Sequence, residues 1–293
     1  MKSYSTLRTL YGTLSNNAET SNLALGVELM NDEIKRVCSK RDWPFLQTSR
    51  TMSTVAAQQA YYLPGDCDMI TNVSVIIGTT KYVPKEAPNR QFWDTVTQAT
   101  TFQSDFPQYF YVYEGKINLF PMPSSSLTNA MTINYRKKVV DLSVADYATG
   151  TVSITTATTT ITGSGATFTN AMEGRYIKFT GGDGQWYKIL TYTDATHIVL
   201  ETAYLGDTLA GVAFTIGEMS PLPDAYQDIP LWSALATFYS TINVDVKRAD
   251  RFTTRYNELV AQLEHEYGTK TTDPSLHDNQ PTPILNPNLF ISL

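Results

Sequence analysis

The chain has 293 residues, two cysteines and a formal net charge of −6, from 22 Lys and Arg against 28 Asp and Glu. That balance argues against a surface that grips nucleic acid by neutralising phosphates, although an acidic conduit past which a duplex slides stays compatible with it. Two cysteines, Cys38 among them on the buried side of a predicted helix, argue against a disulfide framework and suit a reducing cytosol, Met1-Lys2-Ser3-Tyr4 lacks an apolar signal core, and no run approaches the length of a membrane span, so a soluble globular protein is expected.

A short helix is expected within Tyr4 to Leu14, with Gly12 against it. The first long helix is predicted over Glu19 to Arg41, where Leu23, Val27, Met30, Ile34 and Val37 recur at spacings of three and four. Cys38 falls on its buried side. Trp43-Pro44 stops it, because the residue before proline is pushed out of the α region, and Trp43, Phe45 and Leu46 are expected to plug its end.

From Arg50 to about Val140 the pattern turns to strands. Gln59 to Pro64 leads into a Gly65-Asp66 turn, Met69 to Ile77 reads as a buried strand, and Met131 to Val139 as an alternating one. Gln108 to Tyr113 and Lys116 to Phe120, joined by Glu114-Gly115, form a hairpin signal. Arg90 to Asp94 reads as a helical turn with two aromatic anchors.

Between Thr149 and Met219 the composition changes to Thr, Gly and alternating apolar residues. Strands are predicted at Arg175 to Phe179, Gln185 to Tyr192, Thr196 to Glu201 and Val212 to Ile216, with turns at Gly181 to Gly184 and Asp194-Ala195. Five or six short strands at this spacing suggest a small barrel or sandwich inserted into another domain.

Helices then return. Asp224 to Asn243 carries Leu231, Leu235, Phe238 and Ile242 on one side, with Pro230 in its first turns or bending it. Asp245 to Tyr267 carries Phe252, Tyr256, Leu259 and Leu263, with Gly268 as C-cap. Leu23, Val27, Met30, Ile34, Leu231, Leu235, Phe238, Phe252, Tyr256, Leu259 and Leu263 are expected to pack a bundle and its contacts with other copies. The stretch after Thr269 cannot build a core alone. Pro281, Pro283 and Pro287 favour extended chain, while Ile284, Leu285, Leu289, Phe290 and Ile291 supply anchors, the composition of a docking peptide.

The expected fold class is α+β: a helical bundle with a β region, an inserted small β-barrel or sandwich and an extended C-terminal tail. Its divisions are 1–149 (helix, then β region), 150–218 (inserted β domain), 219–267 (helices completing the core) and 268–293 (tail).

Site chemistry is sparse. Gly181 to Gly184 lacks the Lys-Ser/Thr and the helix of a nucleotide loop. His197, His265 and His277 stand at no metal-ligand spacing, and Asp66 and Asp68 lack further oxygen ligands. No nucleophile elbow is present. Tyr109, Phe110, Tyr111 and Tyr113 suit cross-strand packing better than sugar or base stacking. No catalytic, metal or cofactor residues are expected.

Three stretches carry a resemblance: Leu29 to Leu46 (LMNDEIKRVCSKRDWPFL), Phe106 to Pro123 (FPQYFYVYEGKINLFPMP) and Leu222 to Tyr239 (LPDAYQDIPLWSALATFY). In order and character these resemble the head-to-tail adaptor, or connector, proteins of tailed bacteriophages, over most of the chain outside Gly150 to Gly217. The resemblance implies a non-enzymatic virion protein, made in the host cytoplasm and assembled as a dodecameric ring beneath the portal. It would bridge portal to tail, continue the channel for double-stranded DNA without sequence-specific binding, and need no cofactor. The tail would reach the portal protein, and the inserted β module would face nozzle, spike or fibre proteins. Two other readings stand beside it: a carbohydrate-binding or glycan-cleaving phage or bacterial protein, motivated by the Thr-rich module and Tyr-rich hairpin, and a tail-completion or stopper protein.

Overall fold

The computed structural model describes residues 1–98 and 102–268; the expected docking peptide, with Pro281, Pro283, Ile284, Leu285, Pro287, Leu289, Phe290 and Ile291, lies outside them, as does His277. The fold is mixed α and β, and the described residues form three sheets and three buried cores.

Helix α1 (Tyr4–Leu14) starts at Ser3, whose Oγ accepts from Thr6 N at 3.3 Å. Helix α2 (Thr20–Ser39) crosses it where Gly26 lies flat on Tyr11; a Cβ there would stand 2.3 Å from the ring. Gly12, which weakened the α1 expectation, is buried inside the helix near Leu23, so close packing outweighs its low propensity. Trp43 is buried and donates its indole N–H to Val37 O at 2.7 Å, a second bond to a carbonyl at the end of α2 that also accepts from Lys40 N at 3.3 Å.

Eight strands and a short helix follow: β1 (Gln47–Thr54), β2 (Ala60–Tyr62), β3 (Cys67–Ile77), β4 (Thr80–Tyr82), β5 (Lys85–Glu86), α3 (Arg90–Val96), β6 (Tyr109–Tyr113), β7 (Lys116–Phe120) and β8 (Leu127–Lys137). They make two sheets, β1-β8-β3-β4 and β2-β7-β6-β5. Val73, Val75, Met131 and Ile133 of the first share a core with Tyr61, Phe110, Ile117 and Leu119 of the second. The hairpin β6–β7 turns through Glu114 (φ 49°) and Gly115 (φ 69°), the left-handed pair that matches strand twist. The expectation that Met69 to Ile77 is a buried strand is corrected: Val73, Ser74 and Val75 are buried while Met69 and Ile76 are exposed, because only the middle of the strand is covered. Likewise β8 ends at Lys137, and Val139 packs against the helices instead.

The Thr-rich segment holds seven strands: β9 (Thr151–Ile154), β10 (Thr160–Ser164), β11 (Tyr176–Phe179), β12 (Tyr187–Asp194), β13 (His197–Leu200), β14 (Leu209–Val212) and β15 (Phe214–Gly217). They form one antiparallel sheet ordered β14-β9-β10-β13-β12-β11-β15. Its edge strands β14 and β15 are separated in sequence by Ala213 alone, so the sheet has to curl into a half-barrel. The single strand expected over Val212 to Ile216 is therefore two, one at each edge. Val152, Ile161, Ile177, Ile189, Ile198 and Ile216 are fully buried inside the curl.

The last two helices are α4 (Ile229–Thr241) and α5 (Val246–Tyr267). Asp224 to Tyr226 is a separate 3-10 turn, so α4 begins later than expected, with Pro230 in its first turn where proline's fixed φ fits and no N–H is needed. Ile242 lies beyond α4 and is 53% exposed, a correction to its place on the apolar stripe. Gly268 does end α5, but at φ −61° rather than left-handed; it is glycine because a Cβ would stand 2.1 Å from Glu264 O. Helix α4 packs against α1, α2 and α5 and is apolar around most of its circumference, as a central helix must be.

Candidate interaction surfaces

The eleven helix residues expected to pack the bundle belong to one helical core. Met30, Ile34, Leu231, Leu235, Phe238, Leu259 and Leu263 are buried, and Leu23, Val27, Phe252 and Tyr256 pack against them. The buried seven are packed inside one chain and leave no surface for contact between copies.

Polar ties fix how the helices sit. Glu33 of α2 is almost fully buried; its Oε2 accepts from Arg36 (2.9 and 2.7 Å) and from Ser233 of α4 at 2.9 Å. Arg36 also donates to Tyr256 of α5 at 2.8 Å, so one carboxylate organises three helices. Burial, then the nearby Glu33, pushes the Tyr256 phenol up to about 12. Lys40 and Arg41 both pair with Glu264, and the Lys40 hydrogen bond holds Glu264 below its usual range. Burial pushes the Cys38 thiol up to about 12, which disfavours the thiolate form, and the side chain packs in the helical core.

A second set of ties holds the seven-stranded sheet to the helices. The chain enters that sheet past Asp146 and leaves it past Glu218, and both meet the start of α1. Ser3 Oγ donates to Asp146 Oδ2 at 2.6 Å, Asp146 N donates to Ser5 Oγ at 2.9 Å, and Tyr4 N donates to Glu218 O at 2.8 Å. Glu218 Oε2 accepts from Ser143 N and Val144 N at 2.7 and 2.9 Å. Arg175, only 8% exposed, donates to Ala145 O at 2.9 Å between these carboxylates; burial lowers its pKa while Glu218 and Asp146 raise it. Sequence reasoning missed this cluster, for its members are single polar residues far apart in the chain. The one signal available was that Asp146 and Glu218 stand at the two composition breaks.

Beside Arg175 opens a cleft of about 520 Å³ between the helices and the curled sheet, lined among others by Phe45, Lys138, Val140, Leu190 and Glu218. Val140, Val144 and Leu190 are more than two-fifths exposed there. It mixes both charges with apolar surface and has no convergent acid-base pair.

The other residues weighed for chemistry are accounted for by packing. Asp66 accepts from Tyr135 at 2.8 Å and Asp68 from Arg136 at 2.7 Å, tying β3 to β8. His197 shares Asp194 with Thr196, and His265 lies on the outer face of α5. Asp183 of the glycine-rich turn accepts from Gln185 N and from Tyr187. In the hairpin, Phe110 is buried, Tyr109 meets Phe92 and Tyr111 stacks on Trp93; Tyr113 lies under Arg90 at 4.8 Å. Among the described residues no three His, Cys, Asp or Glu side chains gather as a metal site, and no helix is long and apolar enough to cross a membrane.

Set beside known families, residues 2–158 match the family model described as SU10 adaptor protein. The match runs from α1 through the two facing sheets to the first strand of the curled one, more than half of the chain. No curated protein matches the sequence.

Proposed function

The chain belongs to the SU10 adaptor protein family, the head-to-tail adaptors of tailed bacteriophages, and from that premise we propose that it acts as a non-enzymatic ring beneath the portal. In this reading residues 1–149 and 219–267 form an adaptor core, a helical bundle with its β region. Residues 150–218 form an inserted β domain facing the tail, and 268–293 dock on the portal protein. The observation that carries the proposal is the family match over α1, α2 and the facing sheets. The helical ties around Glu33 and the clamp around Ser3 support it, because an adaptor transmits position and needs rigid joints.

The function is binding and geometry. An interface repeated around a closed ring multiplies modest contacts, since each docked copy raises the effective concentration at the next site. The chain's negative charge suits a wall past which packaged DNA slides without adhering. The glycan reading loses support from the hairpin, where Tyr109 is occupied with Phe92 and both Tyr111 and Phe120 with Trp93.

Imaging of portal rings from the same virus, with and without this chain, tests the proposal. A symmetric extra tier is expected, and an unchanged portal would overturn it. Deleting Pro281 to Leu293 is expected to leave the chain folded and to abolish the tier; attachment as strong as in the full chain would remove the tail from the mechanism. A chain that joins only after another protein has bound the portal would be a stopper instead.

A further inference from the structure

Helix α5 is charged against its own dipole. Lys247, Arg248, Arg251 and Arg255 crowd its positive N-terminal half, with Asp250 the one acid among them, and Glu258, Glu264 and Glu266 lie in its negative C-terminal half. This order is unfavourable for an isolated helix. Helix α2 has the opposite order, with Glu28 and Asp32 before Lys35 and Arg36. The two helices run parallel, because Arg36 meets Tyr256 and, further along both, Lys40 meets Glu264. Within one chain this accounts for the C-terminal halves, where Lys40 and Arg41 neutralise Glu264.

The N-terminal halves are left over. Glu28 and Asp32 are exposed on the face of α2 opposite its buried Met30 and Val37, and Lys247 and Arg251 are exposed on the face of α5 opposite its buried Ala249 and Val260. None of the four makes an ion pair among the described residues. Both helices pack on α4, so these faces look outward on different sides of it. Carrying the observed register back along the parallel helices, an offset of 220 residues at Arg36–Tyr256 and 224 at Lys40–Glu264, brings Glu28 and Asp32 level with the stretch from Arg248 to Tyr256. It brings Ala24 and Leu25 level with Val246, which is 66% exposed beside the equally bare Val244.

We propose that the outer face of α2 on one copy binds the outer face of α5 on the next, joining Glu28 and Asp32 to Lys247 and Arg251 around an apolar contact of Val244 and Val246 with Leu25. The inference rests on the ring reading and specifies its repeated joint. Two different faces of opposite charge make a head-to-tail contact, the kind that closes into a ring when the rotation fits. Complementary sign fixes the order of faces, and an α2–α2 or α5–α5 contact would set like charges together.

The test uses two full-length variants on portal rings of the same virus, with assembly read by particle imaging and native mass spectrometry. One carries Glu28→Lys and Asp32→Lys, the other Lys247→Glu and Arg251→Glu. Each alone is expected to lose the tier or to need roughly tenfold more protein, although the second relieves the clash with the helix dipole and keeps its helicity. Mixed in equal amounts they are expected to restore it, as rings of alternating copies, because every joint then sets opposite charges together. If either variant assembles alone like the unaltered chain, or the mixture stays as deficient as its parts while both keep their helical circular dichroism, this joint is wrong and the ring reading stands. If the unaltered chain forms no tier, the ring reading falls and this joint with it.

Discussion

Gly26 and three tyrosines carry the tightest constraints in the helical core. A Cβ at Gly26 would stand 2.3 to 2.6 Å from three atoms of the Tyr11 ring, and that ring is fully buried against Phe238. Alanine is the better helix former by about 1 kcal/mol, yet overpacking a closed core costs about 1–3 kcal/mol, so packing decides the sign. Gly26→Ala is expected to lower the thermal midpoint by circular dichroism; a raised midpoint would mean that Tyr11 swings aside without loss. The tyrosines set a limit in pH. Tyr11 is pushed up to about 12 by burial and then by Tyr239, Tyr226 to about 12 by its hydrogen bond to Glu266 and then burial, and Tyr256 to about 12 by burial and then Glu33. Each folded value exceeds the ordinary 10.0, so the stability they contribute is whole below pH 10 and drains as pH rises towards 12. Thermal melts across that window are expected to show a falling midpoint, less steep in Tyr256→Phe; a flat profile would place these phenols in contact with water.

At the scale of elements, the sequence was legible wherever one chain segment decides its own structure. Helices α2 and α5 follow from apolar spacing, and the β6–β7 hairpin follows from Glu114-Gly115. Strand β1 did not announce itself, because Gln47 to Thr54 has one apolar residue, Met52, and takes its conformation from pairing with β8. The division of Val212 to Ile216 at Ala213 was illegible for a similar reason, since what splits it is closure of the whole curl. The surface faces were half legible: periodicity found which side of each helix is buried, while the register that aligns α2 with α5 needed Arg36 on Tyr256. Ser3 shows how one residue joins elements, capping α1 and holding Asp146 at once. Ser3→Ala is expected to cost about 1–2 kcal/mol in chemical denaturation, with faster amide exchange both in the first turn of α1 and around Asp146. Faster exchange confined to α1 would leave the second role empty.

For the whole molecule, the question is whether the curled sheet is a passenger on the helices or part of their fold. Its core shares no buried residue with theirs, and its two connections lie side by side: Tyr147 and Ile216 exchange backbone hydrogen bonds at 2.9 and 2.8 Å. Residues paired in that way stand about 5.5 Å apart at Cα, a gap that a few residues span. Replacing Gly150 to Gly217 by a short Gly-Ser linker therefore need not stretch the helices. What the excision does remove is Arg175, the cation between Asp146 and Glu218, while Ser3, Ser143 and Val144 keep their bonds to those carboxylates. Asp146→Asn in the shortened chain would relieve the leftover repulsion and keep an acceptor for Ser3. The shortened chain is expected to retain its helical circular dichroism and unfold in one transition, with Asp146→Asn raising its midpoint. Collapse of the helical signal in both versions would show that the helices depend on the β module, and that its position at the start of α1 is a condition of folding rather than a point of attachment.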